Sequence, residues 1–186
     1  MDTDIQVLVE QAQGGDREAF GAIYERLAPK VYGYLYHHTN GRPQLAEDLA
    51  EEVFVKVLEK LVHYQDRGLP FVSWVYRIAH NHLVDHFRTQ PKHGVVSIED
   101  CYNLAEGQAE RTLDQTLTNT ELTKALKRLT EDQRRVLVLR FLQGMNVLET
   151  ALAVDKTEDA VKKLQARGLV ALRRVLGSAL ADLAAA

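Results

Sequence analysis

Two sets of polar side chains recur at helical spacing, and both are suited to holding a polyanion rather than to making or breaking bonds. Arg77, Asn81, Asp85 and Arg88 follow one another at four, four and three residues, so on a helix they share one outward stripe. Arginine can hold phosphates and asparagine can read a base edge, while Asp85 is suited to orienting its neighbours. Further on, Lys163, Arg167 and Arg174 lie on one helical face, flanked by Lys162 and Arg173. A third set, Glu47, Asp48, Glu51 and Glu52, would repel a nucleic acid and attract a basic protein surface. His82 and His86 have metal-ligand spacing, but no HExxH accompanies them. They are read as DNA-facing or solvated imidazoles whose near-neutral pKa makes phosphate contact conditional. No Ser-His-Asp, Cys-His or phosphate-loop constellation is visible, so no catalytic residue, metal or cofactor is expected.

Composition agrees with a binding protein. The chain has 186 residues, 46% of them hydrophobic, and a net charge of −3. That charge is unevenly spread. Residues 95–119 carry five acids and the single base Arg111, whereas residues 120–186 carry 12 bases against 8 acids, an excess of four positive charges. The lone Cys101 allows no intrachain disulfide and no multi-cysteine zinc knuckle. No apolar run approaches transmembrane length and the opening MDTDIQ is acidic, so a soluble, cytoplasmic chain without direct membrane insertion is expected.

Helices must position these residues. The apolar pattern predicts helices over 3–12 and 17–27, a further one starting at Pro29, and then two that dominate the chain. The first of these, LAEDLAEEVFVKVLEKL, places Leu45, Leu49, Val53, Phe54, Val57, Leu58 and Leu61 on one face. The second, FVSWVYRIAHNHLVDHFR, buries Phe71, Trp74, Val75, Ile78, Ala79 and Leu83 and presents the Arg77–Arg88 stripe. Trp74 and Tyr76 are also candidates to stack on unpaired bases, although the stripe position of Trp74 suits core packing as well. Residues 91–117 lose periodicity around Pro91, Gly94, Asn103 and Gly107 and read as a flexible acidic tether. Beyond it come a helix over 121–128 and a helix capped by Thr130 with Val136, Leu137, Leu139, Phe141 and Leu142 on its core side. A short helix capped by Asn146 follows, then a turn at Asp155-Lys156-Thr157 and a long basic helix from Glu158. A short helix, a tight turn and a longer basic helix make a helix-turn-helix. Groove reading falls to the N-terminal part of such a helix, which nominates Glu158, Asp159, Lys162, Lys163 and Gln165, with Arg167 on the basic face.

These residues carry a resemblance. The runs A-E-D-L-x-x-E-V-F at 46–54 and W-x-x-R-I-A-x-N-x-x-x-D-x-x-R at 74–88 resemble region 2 of bacterial RNA polymerase sigma factors of the extracytoplasmic-function (ECF) type. The stretches at Leu129–Gly144 and Ala160–Arg174 resemble region 4. Two departures stand out: Lys163-Leu164 replaces a common Ser-Arg in the recognition helix, and Asp155 takes the place of the usual glycine in the turn.

The resemblance implies an all-α protein of two small helical domains joined by a flexible linker. Residues 1–90 would form a region 2 helical bundle, 91–118 the linker and 119–186 a region 4 helix-turn-helix. It implies binding to core RNA polymerase through the β′ and β subunits, with Glu47, Asp48, Glu51, Glu52 and Phe54 docking on a β′ coiled coil. The −10 element would be read by Tyr64, Arg67, Trp74, Arg77, Asn81, Asp85 and Arg88, with the loop at Tyr64–Arg67 capturing an unstacked base. The −35 element would be read by Glu158, Asp159, Lys162, Lys163, Gln165 and Arg167. It implies no enzymatic activity and an anti-sigma partner, and the acidic linker would suit a basic channel of the polymerase. The alternatives are a stand-alone helix-turn-helix regulator, a polymerase-binding adaptor without promoter reading, and a metal-dependent enzyme using His82 and His86.

Overall fold

Helix boundaries follow local capping chemistry. The computed structural model describes residues 2–66, 68–89 and 122–184, and side chains within 5–176 of these. Helix α1 (Asp2–Gln13) gives way at Gly15, whose φ of +94° favours glycine. Asp16 then caps α2 (Arg17–His38), its carboxylate accepting from the amides of Glu18 and Ala19 at 2.9 and 3.2 Å. Left-handed Asn40 and Gly41 turn the chain, and α3 (Pro43–Leu61) opens on proline, where no helical N–H is lost. Helix α4 (Phe71–Thr89) completes the first half.

In the second half α5 covers 122–127. Helix α6 (Glu131–Leu137) opens on a capping box between Thr130 and Gln133 and runs into a π-helical turn, Val138–Leu142. A second capping box, Asn146 with Glu149, opens α7 (Val147–Val154). Thr157 caps α8 (Glu158–Ala184), its hydroxyl accepting from the Ala160 amide at 3.2 Å. No strand occurs among the described residues, and the expected all-α class is observed.

Helices α1–α4 enclose one set of apolar side chains, including Ile23, Val31, Leu35, Leu49, Val53, Val57, Phe71 and Leu83. Helices α5–α8 enclose another, with Val136 to Leu139, Ala151, Ala153 and Val161. Helix α8 crosses α6 closely at Gly168, where a Cβ would stand 3.1 Å from the Leu137 Cδ1. The two sets merge into one buried cluster because α4 lies against α7 and α2 against the π-turn.

The packing corrects several expectations. Pro29 does not start a helix: α2 runs through it unbroken. Proline withholds one N–H, but both Pro29 and Glu25, the carbonyl left unpaired, lie on the exposed side where water can serve. Phe141 and Leu142 are exposed rather than core, because the wider π-turn rotates them off the buried face, its last amide (Gln143) reaching back five residues to the Val138 carbonyl at 3.0 Å. Leu58 also faces outward, 53% exposed, beside Val55 and Val62. On α4 Tyr76 is buried against the second half and unavailable for stacking in this arrangement, while Trp74 is half-buried. The linker, Cys101 and Arg67 lie outside the described residues.

Candidate nucleic-acid and partner-binding faces

Helix α4 displays the expected stripe in two parts. Asn81, Asp85 and Arg88 are exposed, and the Arg88 guanidinium pairs with Asp85 at 2.9 Å, one turn apart. That pair holds Arg88 along the helix surface, consistent with an orienting role for Asp85. Arg77, at the head of the stripe, is half-buried and donates to the Asp155 carboxylate at 2.5 Å. Sequence spacing brought the four together correctly but gave no sign that Arg77 already has an acidic partner.

Beside the start of α4 lies an open cavity of about 330 Å³ lined by His63, Tyr64, Gln65, Leu69 and Trp74. The Tyr64 and Trp74 rings give it an aromatic side, their centroids 5.0 Å apart, and buried Phe71 supports Tyr64 from the core at 5.2 Å. Tyr64 itself is buried and its hydroxyl donates to the Leu69 carbonyl at 2.9 Å, which pins the α3–α4 loop. Burial, aided by nearby Asp66, pushes the phenol pKa up to about 12, so it stays a neutral donor. Aromatic rings set among polar edges from His63 and Gln65 suit a planar heterocycle that also carries hydrogen-bonding groups. Sequence reasoning found Tyr64 and Trp74 but missed His63 and Leu69, because only the loop fold closes them around one space.

On α3 the acids Glu47, Asp48, Glu51 and Glu52 are exposed as expected. Phe54 is not part of that surface. It is 4% exposed and packs edge-on against Tyr24, with centroids 4.9 Å apart, so it supports the helix from beneath. In its place the outer face carries Val55, Leu58 and Val62, which with Asp48 and Glu51 form a mixed apolar and acidic strip. Glu52 also reaches across to α4, where its carboxylate lies 2.6 Å from the His82 Nε2. His82 therefore ties two helices together, and no three-residue metal-ligand cluster occurs among the described residues.

Helix α8 exposes Glu158, Asp159, Lys162, Lys163 and Arg167 at its N-terminal end, while Val161 and Gly168 are buried. Gln165 is half-buried, and its side-chain oxygen accepts from the Arg140 Nε at 3.0 Å. Arg140 also donates to the Met145 carbonyl, so Gln165 helps brace the helix-turn-helix and is less free to read a base. The turn is set by Asp155 at φ +56° and ψ +48°, a left-handed cap whose N–H reaches the Ala151 carbonyl. Lys156 pairs with Asp132 of α6 at 3.1 Å.

Three histidines gather where α2 and α4 meet α5 and α6. His38 is fully buried, its ring tilted against Tyr34 with centroids 4.2 Å apart, and Glu131 lies at 3.8 Å. His80 shares a hydrogen bond of 3.2 Å with the Tyr34 hydroxyl, and His37 one of 3.4 Å with Thr123. Burial lowers their pKa values to about 3, 3 and 4 for His38, His80 and His37 respectively. Arg134 adds to the effect on His38 and Arg135 to that on His80. None of the three had been singled out, since nothing in their spacing shows that a distant segment covers them.

A helical bundle with an outward reading stripe, joined in one chain to a helix-turn-helix with a basic helix, is the two-part architecture of sigma-70-type initiation factors. The sequence matches the models of Sigma-70 region 2 over residues 23–92 and of Sigma-70 region 4 over residues 125–174. It is 36% identical over 171 residues to the ECF RNA polymerase sigma factor BldN of Streptomyces coelicolor, covering 91% of this chain and 64% of that protein. It is 31% identical over 174 residues to SigD of Mycobacterium tuberculosis, an ECF RNA polymerase sigma factor, covering 91% of this chain and 82% of that one. The fold is similar to that of the sigma factor RpoE in complex with the anti-sigma factor NepR from Bartonella quintana, at a TM-score of 0.71, 19% identity, and coverage of 85% and 96% of the two chains. The chain belongs to the ECF RNA polymerase sigma factor family, whose members direct RNA polymerase to promoters.

Proposed function

We propose that this chain binds core RNA polymerase through its first domain, residues 1–90, and reads a bipartite promoter. The observation that carries the reading is the placement of exposed Asn81, Asp85 and Arg88 on the same helix that borders the aromatic cavity at Tyr64 and Trp74. Phosphate contact and a base receptor then lie side by side, as strand opening at a −10 element requires. A flipped base leaves its stack at a cost of a few kcal/mol, and the cavity offsets that cost only for the melted strand, so opening is driven by differential binding with no covalent step. The chain acts as a specificity factor and not as an enzyme. Arg77 joins Arg88 in holding phosphates once it is released from Asp155, and Arg67 is a further candidate for the same strand.

The second domain, residues 119–186, reads the −35 element through Glu158, Asp159, Lys162, Lys163 and Arg167, with Gln165 at the margin. Residues 91–118 connect the two. The strip of Asp48, Glu51, Val55, Leu58 and Val62, with Glu47 and Glu52 beside it, meets the β′ subunit: apolar side chains supply contact area and the acids supply complementarity to a basic surface. The β subunit is the second polymerase partner. An anti-sigma factor is a further partner, supported by the NepR complex of the structural relative. No helix among the described residues is long and apolar enough to cross a membrane, which supports a cytoplasmic site of action.

The test is transcription by purified chain plus bacterial core polymerase on a pool of promoter fragments. Selective initiation that is lost with Asn81→Ala or Lys163→Ala is expected. Core binding without selective initiation would favour the adaptor reading. No core binding, with duplex DNA still bound, would favour a stand-alone regulator.

A further inference from the structure

We propose that Asp155 is an intramolecular stand-in for promoter phosphate, which closes the second domain over the head of the −10 helix in the free chain. This rests on the phosphate-binding role proposed above for Arg77. Three side chains of α4 at helical spacing, Ser73, Tyr76 and Arg77, all point into the second domain. The Ser73 hydroxyl donates to the Glu149 carbonyl at 3.1 Å and the Tyr76 hydroxyl to the Gln143 side-chain oxygen at 3.1 Å. Arg77 donates to Asp155 at 2.5 Å and is the charged member of the set. A carboxylate is an anionic oxygen acceptor for guanidinium, as a phosphate is, so the two compete for the same donors.

The conformation of Asp155 argues that its side chain has a purpose. The position is left-handed, where a glycine would be free of strain and a side chain is not. Aspartate tolerates that region better than most residues, and here the strained position delivers a carboxylate to the reading stripe. The contact occupies only the head of the stripe, since Asn81, Asp85 and Arg88 remain exposed. Lys162, Lys163 and Arg167 are exposed too, so the closed chain presents the −35 helix to duplex DNA while withholding part of the −10 surface. Arg77 is 35% and Asp155 86% exposed, so the pair is well solvated and shifts the closed-to-open ratio by about two- to five-fold, not by orders of magnitude. Closure then scales the apparent affinity for a melted strand down to the fraction of chains that are open, a cost that polymerase binding can remove.

The test uses the full chain with Cys101→Ser and spin labels at Glu25→Cys and Arg128→Cys, both exposed and on opposite domains. Pulsed electron resonance gives the ratio of short to long distances. Asp155→Gly relieves the backbone strain and so keeps the fold, and Asp155→Asn keeps the shape while removing the charge. Both are expected to raise the long-distance fraction about two- to five-fold relative to the short, and to tighten binding of a mixed-sequence single-stranded DNA by a similar factor. A wild-type chain without the short distance, or two variants with the wild-type ratio, would overturn the proposal. Opening in both variants with no gain in single-strand affinity would leave Asp155 as the closing contact but overturn the phosphate role of Arg77.

Discussion

Mild acid should pull the two domains apart before it unfolds either one. His37 and His38 on α2 and His80 on α4 are covered by the second half of the chain, and they face Thr123, Glu131, Asp132, Arg134 and Arg135 from α5 and α6. Docked, they titrate at about 4, 3 and 3, whereas a solvated histidine titrates near 6.5. The docked form therefore binds fewer protons than the open form between those values. Its stability is fully present above about pH 6.5 and is lost as the pH falls. At about pH 5.5, one unit below the solvated value, each histidine that opening releases favours the open form by about 1.4 kcal/mol. Release of all three amounts to about 4 kcal/mol, and to about 3 kcal/mol if the Tyr34 ring keeps His38 covered. Glu131 and Asp132 oppose this by favouring a charged His80, but burial and Arg135 outweigh them. Small-angle scattering and far-ultraviolet circular dichroism should be followed together from pH 7.5 to 5. The expected result is a rising radius of gyration at constant helicity, with His80→Gln reducing the steepness by about a third. A constant radius would refute the reasoning, and so would helicity falling in step with expansion, because the protons would then be entering through unfolding.

Further outcomes follow from the same geometry. Leu58→Asp places a charge in the exposed strip of α3 and should weaken core-polymerase binding at least ten-fold while leaving the melting temperature unchanged, as measured by competition with another sigma factor and by calorimetry. Asn146→Ala removes the side-chain oxygen that accepts from the Glu149 amide at 2.9 Å and should lower the stability of the second domain by about 1 kcal/mol in urea denaturation. Leu139→Ala empties a fully buried site and should cost about 2–5 kcal/mol by the same measurement. Lys162→Ala and Lys163→Ala should each flatten the logarithmic salt dependence of duplex binding by about one charge, whereas Gln165→Ala should leave the slope unchanged.

Most of the fold was legible because it is governed by local rules. Asp16, Thr130, Asn146 and Thr157 cap helices where their types and positions suggest, since a short polar side chain beside an unpaired amide answers a need that the sequence displays. Pro29 misled because its usual effect depends on whether the orphaned carbonyl meets water, and that is decided by which side of the bundle it faces. Phe141 and Leu142 misled because periodicity assumes a regular helix, and one wider turn redirects both. Phe54 has the spacing of the core and was still counted with the acidic face beside it, and only the Tyr24 ring against it resolves the matter.

The sequence by itself determined the class of protein, helices α4 and α8 and most of the exposed polar residues along each, since these depend on period and residue type along single helices. Tertiary structure alone decided what lies across from each stripe. It closed His63, Tyr64, Leu69 and Trp74 around a cavity, covered three histidines, and set Asp155 against Arg77 although 77 intervening residues separate them. Contacts between distant segments leave no periodic trace in the chain. They arise from the shared burial of two apolar faces, and the polar pairs at that seam are fixed only once those faces meet.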